Sequence, residues 1–300
     1  MTLDIALVTA RAARGLDDDL LPLEAAIRAA GAHAHIVDWD DSEVGWEVFD
    51  IALLRSTWDY MIRLPEFLAW VDTAARQTTL LNPPEVVRWN TDKHYLAELA
   101  RAGVPVVPST FVEPGEAVSG ALDAFLARYP NAAEFVVKPA VSAGSRDTQR
   151  HSRTQIELAK AQAQQLLDAG RSVLLQPYLD SVDRDGETSL IYFRGHYSHA
   201  IRKAAVLPPG LPGSPAVGLF ATERILPRTP GADELRLAER VLGSLRFGPP
   251  LYARVDLIRD TAGAPTLLEL ELTEPSLFFA YASGSAERFA AAVLDVARTI

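Results

Sequence analysis

Near the C-terminal end of the 300-residue chain, the segments Leu251–Asp260 and Leu267–Leu272 flank a turn containing Gly263. Their alternation of charged and apolar residues predicts an antiparallel hairpin. Arg254 and Asp256 would share one face, and Glu269 and Glu271 one face of the partner strand. Val255, Leu257, Leu268 and Leu270 are then expected to face the core. Carboxylates spaced this way offer the oxygen ligands suited to Mg²⁺ bridging nucleotide phosphates, and Arg254 beside them can steady an anion. A hairpin whose polar face is merely solvated, with Arg254 paired to a glutamate, fits the same pattern.

Three further segments bear on the choice. Phe135-Val136-Val137-Lys138 reads as a strand ending in a lysine, followed by a loop of small residues, Ser142-Ala143-Gly144-Ser145. Such a loop lets backbone amides approach phosphate oxygens while the lysine supplies a point charge, although an ordinary strand and turn with a snorkelling lysine reads alike. Lys93 follows an N-cap at Thr91 or Asp92, where a helix begins; a plain surface lysine is the alternative. Val173–Gln176 is an apolar strand ending at Pro177-Tyr178-Leu179, where the proline either frees backbone groups to meet a flat base or simply ends the strand. In the first third, Arg55-Ser56-Thr57-Trp58-Asp59-Tyr60 packs charged, hydroxyl and aromatic groups into one loop, a collar for a small zwitterion unless Trp58 and Tyr60 are merely buried.

The elements that must position these groups follow from periodicity. Strands are expected at Leu3–Thr9, His35–Trp39, Ile51–Arg55 and Thr79–Leu81, with helices at Leu20–Ala30 and Pro65–Arg76: an open α/β lobe with a mainly parallel sheet. Pro84–Ala102 reads as a helix broken near Asn90–Asp92 and closed by Gly103. An α+β unit follows, with strands at Val106–Val112, Phe135–Lys138 and Val173–Gln176 and helices at Ala117–Arg128 and Thr154–Ala169. Beyond it, Thr188–Phe193 and Tyr197–Val206, then Tyr252–Ile258 and Thr266–Leu272, predict antiparallel sheet. Leu207–Pro215 is dense in proline and glycine, and Pro208–Pro215 is expected to be a loop that closes over the site.

Composition narrows the chemistry. With no cysteine, disulfides, thiolate nucleophiles and cysteine metal sites are excluded. No GxxxxGK[ST], GxGxxG or GxSxG occurs, and the six histidines show no spacing such as HExxH. A net charge of −10 speaks against general affinity for nucleic acid. No basic leader precedes an apolar run and no window approaches about 20 apolar residues, so neither export nor membrane insertion is expected, and a cytoplasmic location follows by default.

The order of the pieces from Lys93 to Pro275 resembles the ATP-grasp family, in which two α+β lobes hold ATP between them. The resemblance implies an N-terminal substrate-side lobe over 1–92, a central subdomain over 93–179 and a C-terminal subdomain over 180–300. It implies that Lys93 and Lys138 contact phosphates, that Ser142, Gly144 and Ser145 cover them, and that Gln176, Tyr178 and Leu179 line an adenine site. Asp183 or Glu187 would take the ribose or a neighbouring polar position, Arg202 or Lys203 would reach the phosphates, and Lys203 and Arg254 would act in catalysis. Asp256, Glu269 and Glu271 would hold Mg²⁺. The family commonly ends this hairpin in Glu-x-Asn; here Glu269-Leu270-Glu271 adds a negative charge.

The Ser56–Tyr60 segment, the Trp89–Lys93 run and the Glu-Leu-Glu ending also look like the O-ureido-serine cyclo-ligase branch, which makes D-cycloserine. That implies phosphorylation of the ureido carbonyl oxygen or an equivalent carbonyl, followed by intramolecular attack of an amine. Arg55, Ser56, Thr57, Asp59, Tyr60, Glu274 and Ser276 would meet the small amino-acid-like substrate. A carboxylate–amine ligase joining two substrates and a non-catalytic ATP-binding regulator are the other readings, and a homodimer is left open.

Overall fold

The computed structural model describes residues 2–205, 207 and 224–298, so the Pro208–Pro215 segment lies outside the described residues. The chain opens with β1 (Asp4–Thr9), α1 (Leu20–Ala29), β2 (His33–Asp38), β3 (Ile51–Ser56), α2 (Leu64–Ala74) and β4 (Thr79–Leu81). These strands form an all-parallel sheet in the order β2-β1-β3-β4. The apolar runs of β1 and β3 are buried along almost their whole length, as expected for strands covered on both faces.

The broken helix is α3 (Pro84–Asn90) and α4 (Tyr95–Arg101). At the break, the Lys93 amide donates to Ala140 O at 3.0 Å, which fixes Lys93 against the chain leaving the next sheet. That sheet contains β5 (Thr110–Val112), β6 (Glu134–Pro139), β7 (Gln149–Ser152) and β8 (Val173–Pro177) in the order β5-β8-β6-β7, with α5 (Val118–Arg128) and α6 (Ile156–Asp168) packed on it. The strand expected over Val106–Val112 is shorter than its hydropathy predicts. Pro108 has no N–H to donate, and Val106 makes only an isolated bridge to Leu267. Strand β7, Gln-Arg-His-Ser, was invisible to an apolar pattern because Arg150 and His151 are buried by polar pairing instead: Arg150 with Glu134 and Asp183, His151 with Gln162.

After a short helix α7 (Ser181–Asp185), strands β9 (Glu187–Phe193), β10 (His196–Lys203), β11 (Ile225–Arg228), β12 (Tyr252–Arg259) and β13 (Pro265–Glu271) make an antiparallel sheet in the order β11-β10-β9-β12-β13. Helices α8 (Ala232–Gly243) and α9 (Ser285–Ala297) complete the chain. Helix α9 returns to the first sheet: Phe289 and Val293 share one core with Leu23 and Ile27 of α1 and with Phe193 and Tyr252 of the antiparallel sheet. Helices α3, α4 and α8 bury Val86, Leu96, Leu99 and Val241 against the other face of that sheet.

Edge strand β13 carries the charged hairpin and is covered rather than open. Asn90 Nδ2 donates to Leu270 O at 2.8 Å, Leu272 N donates to Asn90 Oδ1 at 2.6 Å, and Leu270 N donates to Tyr95 Oη at 3.0 Å. These bonds satisfy the backbone groups that an edge would leave free, and hold the hairpin in one position.

Candidate active site

A cavity of about 460 Å³ is walled by the central and the C-terminal sheets and by the loops that follow β1 and β3 of the parallel sheet. Hairpin register sets Arg254 opposite Glu271 and Asp256 opposite Glu269, so the expected charged face is formed. The core face differs at one position. The register shifts between Asp256 and Leu257, which pairs with Leu267, so Leu267 is fully buried in the core and Leu268 is the extra residue. A bulge of this kind turns its side chain, and Leu268 lines the cavity beside Leu179 and Ile258.

The charged groups form a continuous network. Lys203 Nζ lies 2.9 Å from Asp256 Oδ2 and 3.0 Å from Glu187 Oε2. Arg254 Nε lies 3.0 Å from Asp256 Oδ1, and its Nη2 pairs with Glu271. The carboxylate that stands where the family has asparagine is thus neutralised by an arginine on the facing strand. Lys93 Nζ donates to Ser142 O at 2.8 Å and lies 3.1 Å from Glu269 Oε1. Lys138 lines the cavity with no hydrogen-bond partner among the described residues.

Burial and charge set the protonation states. Burial pushes the Lys138 ammonium down to about 8, against the pull of Glu269. Asp256 would be pushed up by burial, but Arg254 and Lys203 outweigh it and hold it well below the usual carboxylate range. Glu269 behaves likewise, with Lys93 and Lys138 prevailing over burial. Glu271 moves up: burial dominates, and Asp256 and Glu269 add to it against Arg254. Both glutamates leave 26% of the side chain open to the cleft, so water there tempers these shifts. Glu274 is pushed up to about 8 by burial and by Glu271, opposed by a hydrogen bond from Tyr60.

Of the residues singled out from the sequence, Lys93, Lys138, Ser142, Gly144, Ser145, Gln176, Tyr178, Leu179, Glu187, Lys203, Arg254, Glu269, Glu271, Tyr60, Glu274 and Ser276 line this cavity. Gly144 and Ser145 are consecutive left-handed residues, φ 60° and 58°, which curl the small-residue loop. Others stand elsewhere. Arg202, one residue from Lys203, turns to the opposite face of β10 and donates to Arg184 O at 2.9 Å. Asp183 accepts from Tyr178 Oη at 2.6 Å and from Arg150 at 3.0 Å, so it orients the tyrosine rather than facing the cavity. Asp256 sits behind the glutamates with both oxygens engaged. Asp59 is held by Trp39 Nε1 at 2.9 Å and by Arg63 at 3.1 Å. Arg55, Ser56 and Thr57 are fully buried at the end of β3, behind the wall that Trp58 and Tyr60 form.

The sequence reading missed the loop after β1. Asp17 lines the cavity with only 9% of its surface exposed, and its Oδ2 has no hydrogen-bond partner among the described residues. Burial raises its carboxyl and Arg55 pulls it back. Asp19 accepts the amides of Leu277, Phe278 and Phe279 at 2.6, 2.9 and 2.8 Å, which fixes the turn after the hairpin. There Phe278, at φ 56°, lies beneath the Arg254 guanidinium, 5.5 Å from the ring centre. Of the three consecutive aspartates after Leu16, the fold turns Asp17 and Asp19 inward.

Residues 5–82 match the family model of the N-terminal domain of D-cycloserine synthetase DcsG. Over 97% of its length the chain is 41% identical to the cycloserine biosynthesis protein DcsG of Streptomyces lavendulae, of which it covers 98%. The chain belongs to the DcsG family. A crystal structure of D-cycloserine synthetase DcsG superposes with a TM-score of 0.91 at 40% identity, covering 98% of this chain and 99% of that one. The D-alanine–D-alanine ligase of Bacillus anthracis shares the fold at 13% identity, with a TM-score of 0.68 over 100% of this chain and 98% of its own. The DcsG-family chain is therefore an ATP-grasp ligase with a parallel-sheet N-terminal lobe, a central α+β lobe and a C-terminal antiparallel lobe, as its motif order implied. That membership favours an enzyme over a binding-only regulator. Among the described residues, no helix is long and apolar enough to cross a membrane.

Proposed function

We propose that this ligase uses ATP and Mg²⁺ to close O-ureido-D-serine to D-cycloserine. The ring bond joins the ureido nitrogen next to oxygen to the serine carboxyl carbon, so of the two carbonyls the carboxyl is the one to activate. Transfer of the γ-phosphoryl group to a carboxylate oxygen releases ADP and gives an acyl phosphate. Attack by that nitrogen then expels phosphate, and hydrolysis removes the carbamoyl group.

The observation that carries this reading is a single cavity with two chemically different ends. At one end stand Lys93, Lys138, Lys203, Glu269 and Glu271, beside an apolar slot of Val136, Leu179 and Leu268. At the other end Asp17 lines the wall beside Trp58 and Tyr60, and its Oδ2 is buried without a hydrogen-bond partner among the described residues. Such an atom costs about 1–3 kcal/mol if nothing meets it, which fits a site completed by the ammonium of a small zwitterion. Asp17 would take the substrate ammonium, which together with Arg55 behind it opposes the upward shift that burial gives the carboxyl.

The donors fit magnesium. They are oxygen-only, and the upward shift of Glu271, set first by burial and then added to by Asp256 and Glu269, is one a cation would oppose. Glu269 and Glu271 would hold the ion, with Asp256 behind them, and the ion would neutralise phosphate charge. Lys93, Lys138 and Lys203 would position the phosphates under the Ser142–Ser145 loop, Glu187 would meet the ribose, and Gln176 to Leu179 the adenine. Arg254 would face charge developing at the reacting carboxyl. Glu274, poised at about 8, can exchange the proton released by the attacking nitrogen.

Phosphate release with ATP, Mg²⁺ and single compounds tests this. O-ureido-D-serine alone should suffice, with D-cycloserine as product. A requirement for two separate substrates would turn the reading to an intermolecular carboxylate–amine ligase.

A further inference from the structure

Helical metal-ligand spacings are absent from the sequence, yet two histidines stand in a strand spacing. His33 and His35 are two residues apart on β2, an edge strand of the parallel sheet, so both side chains leave the same face. Register sets Asp4 of β1 directly beside His33. Asp4 Oδ1 lies 3.2 Å from His33 Nδ1 and 2.9 Å from His35 Nε2, and one donor atom from each residue lies within 4.8 Å of the other two. Both imidazoles are exposed, which leaves an ion free access.

Ligands of a tetrahedral ion bound at about 2.0–2.2 Å stand roughly 3.3–3.6 Å apart, so the two hydrogen-bonded contacts, at 2.9 and 3.2 Å, need only open by a few tenths of an ångström to admit one. The donor set decides the ion. Two imidazoles and one carboxylate favour Zn²⁺ and its transition-metal neighbours, whereas Mg²⁺ prefers the oxygen-only hairpin. Asp4 is anchored for this role, because its own amide donates to Asp50 Oδ2 at 2.8 Å and its carboxyl is held below the usual range by the hydrogen bond from His35. The site lies at the N-terminal ends of β1 and β2. The cavity is served by the opposite ends of the parallel strands, where Trp58 and Asp17 follow β3 and β1.

We propose that Asp4, His33 and His35 form a transition-metal site of the zinc class, with water in the remaining position, that clamps the first residue of β1 to edge strand β2. It is independent of the reaction at the cavity and of the function proposed above.

The test is a Zn²⁺ titration of the metal-stripped full-length protein in excess Mg²⁺, which saturates oxygen-only sites, followed by calorimetry and thermal unfolding. One equivalent of Zn²⁺ should bind and raise Tm. His35→Asn should weaken that binding by about 10- to 100-fold or more, with the circular dichroism spectrum and phosphate release unchanged. Zinc binding that is unaltered in both His33→Asn and His35→Asn, or that is absent below millimolar Zn²⁺ in the unsubstituted protein, would overturn the proposal.

Discussion

The Lys93 ammonium stands 3.1 Å from Glu269 Oε1 and 2.8 Å from the carbonyl of Ser142, so one cation links the carboxylate hairpin to the loop that follows β6. The two charges neutralise each other, and in the function proposed above Lys93 would turn to phosphate and Glu269 to the metal ion. Glu269→Gln should therefore lower phosphate release by about 100-fold or more and abolish its rise with Mg²⁺ concentration. Turnover with an unchanged Mg²⁺ dependence would remove Glu269 from the metal site.

Lys138 is charged below about pH 8 and neutral above it, because burial lowers its ammonium. ATP affinity should fall as pH rises from 7 to 9. Lys138→Met should weaken ATP binding by roughly 10- to 100-fold and flatten this dependence. Calorimetric titration of ATP across that range decides it; a variant with the original pH slope would assign the slope to another group.

Glu274 binds its proton more tightly folded than unfolded. Between its ordinary range and pH 8 the folded state holds more protons than the unfolded, so this group lowers stability as pH rises. Glu274→Gln should therefore be nearly neutral at pH 4.5 and gain about 2–6 °C in Tm relative to the unsubstituted protein at pH 8.5. Equal Tm differences at both pH values would mean that Glu274 titrates normally.

Asp17 lines the cavity, and in the proposed function it meets the substrate ammonium rather than ATP. Asp17→Asn should reduce kcat/KM for the amino-acid substrate by about 100-fold while leaving the Kd of ATP within about twofold. Loss of ATP binding as well would indicate that the loop is needed for the whole cavity.

Asp19 accepts three successive backbone amides, from Leu277 to Phe279. Asp19→Ala strands those buried donors and should cost about 2–4 kcal/mol, seen as a fall in Tm of roughly 5–10 °C. A stability loss within error would show that water replaces the carboxylate.

Much of this architecture was legible because its signals are local. A two-residue period wrote the hairpin face, and Arg254, Asp256, Glu269 and Glu271 meet as that period requires. The helix break at Asn90–Asp92 gave the position of Lys93. Leu268 departs from the pattern because the register shift that turns it inward depends on the strand opposite, not on its own neighbours.

The sequence by itself determined the order of strands, lysines and carboxylates, and with it the ligase family, because side-chain periodicity and covalent order need no tertiary contact to be read. Only the tertiary structure decided which polar groups face the cavity. Asp17 lies in the loop after β1, and its chemical meaning comes from Arg55 on another strand and from burial by the assembled lobes. Asp183 and Asp59 looked like site residues until Arg150 and Tyr178, and Trp39 and Arg63, claimed their oxygens. Desolvation and partner choice are properties of three-dimensional neighbours, and these set whether a carboxylate binds a ligand or braces the fold.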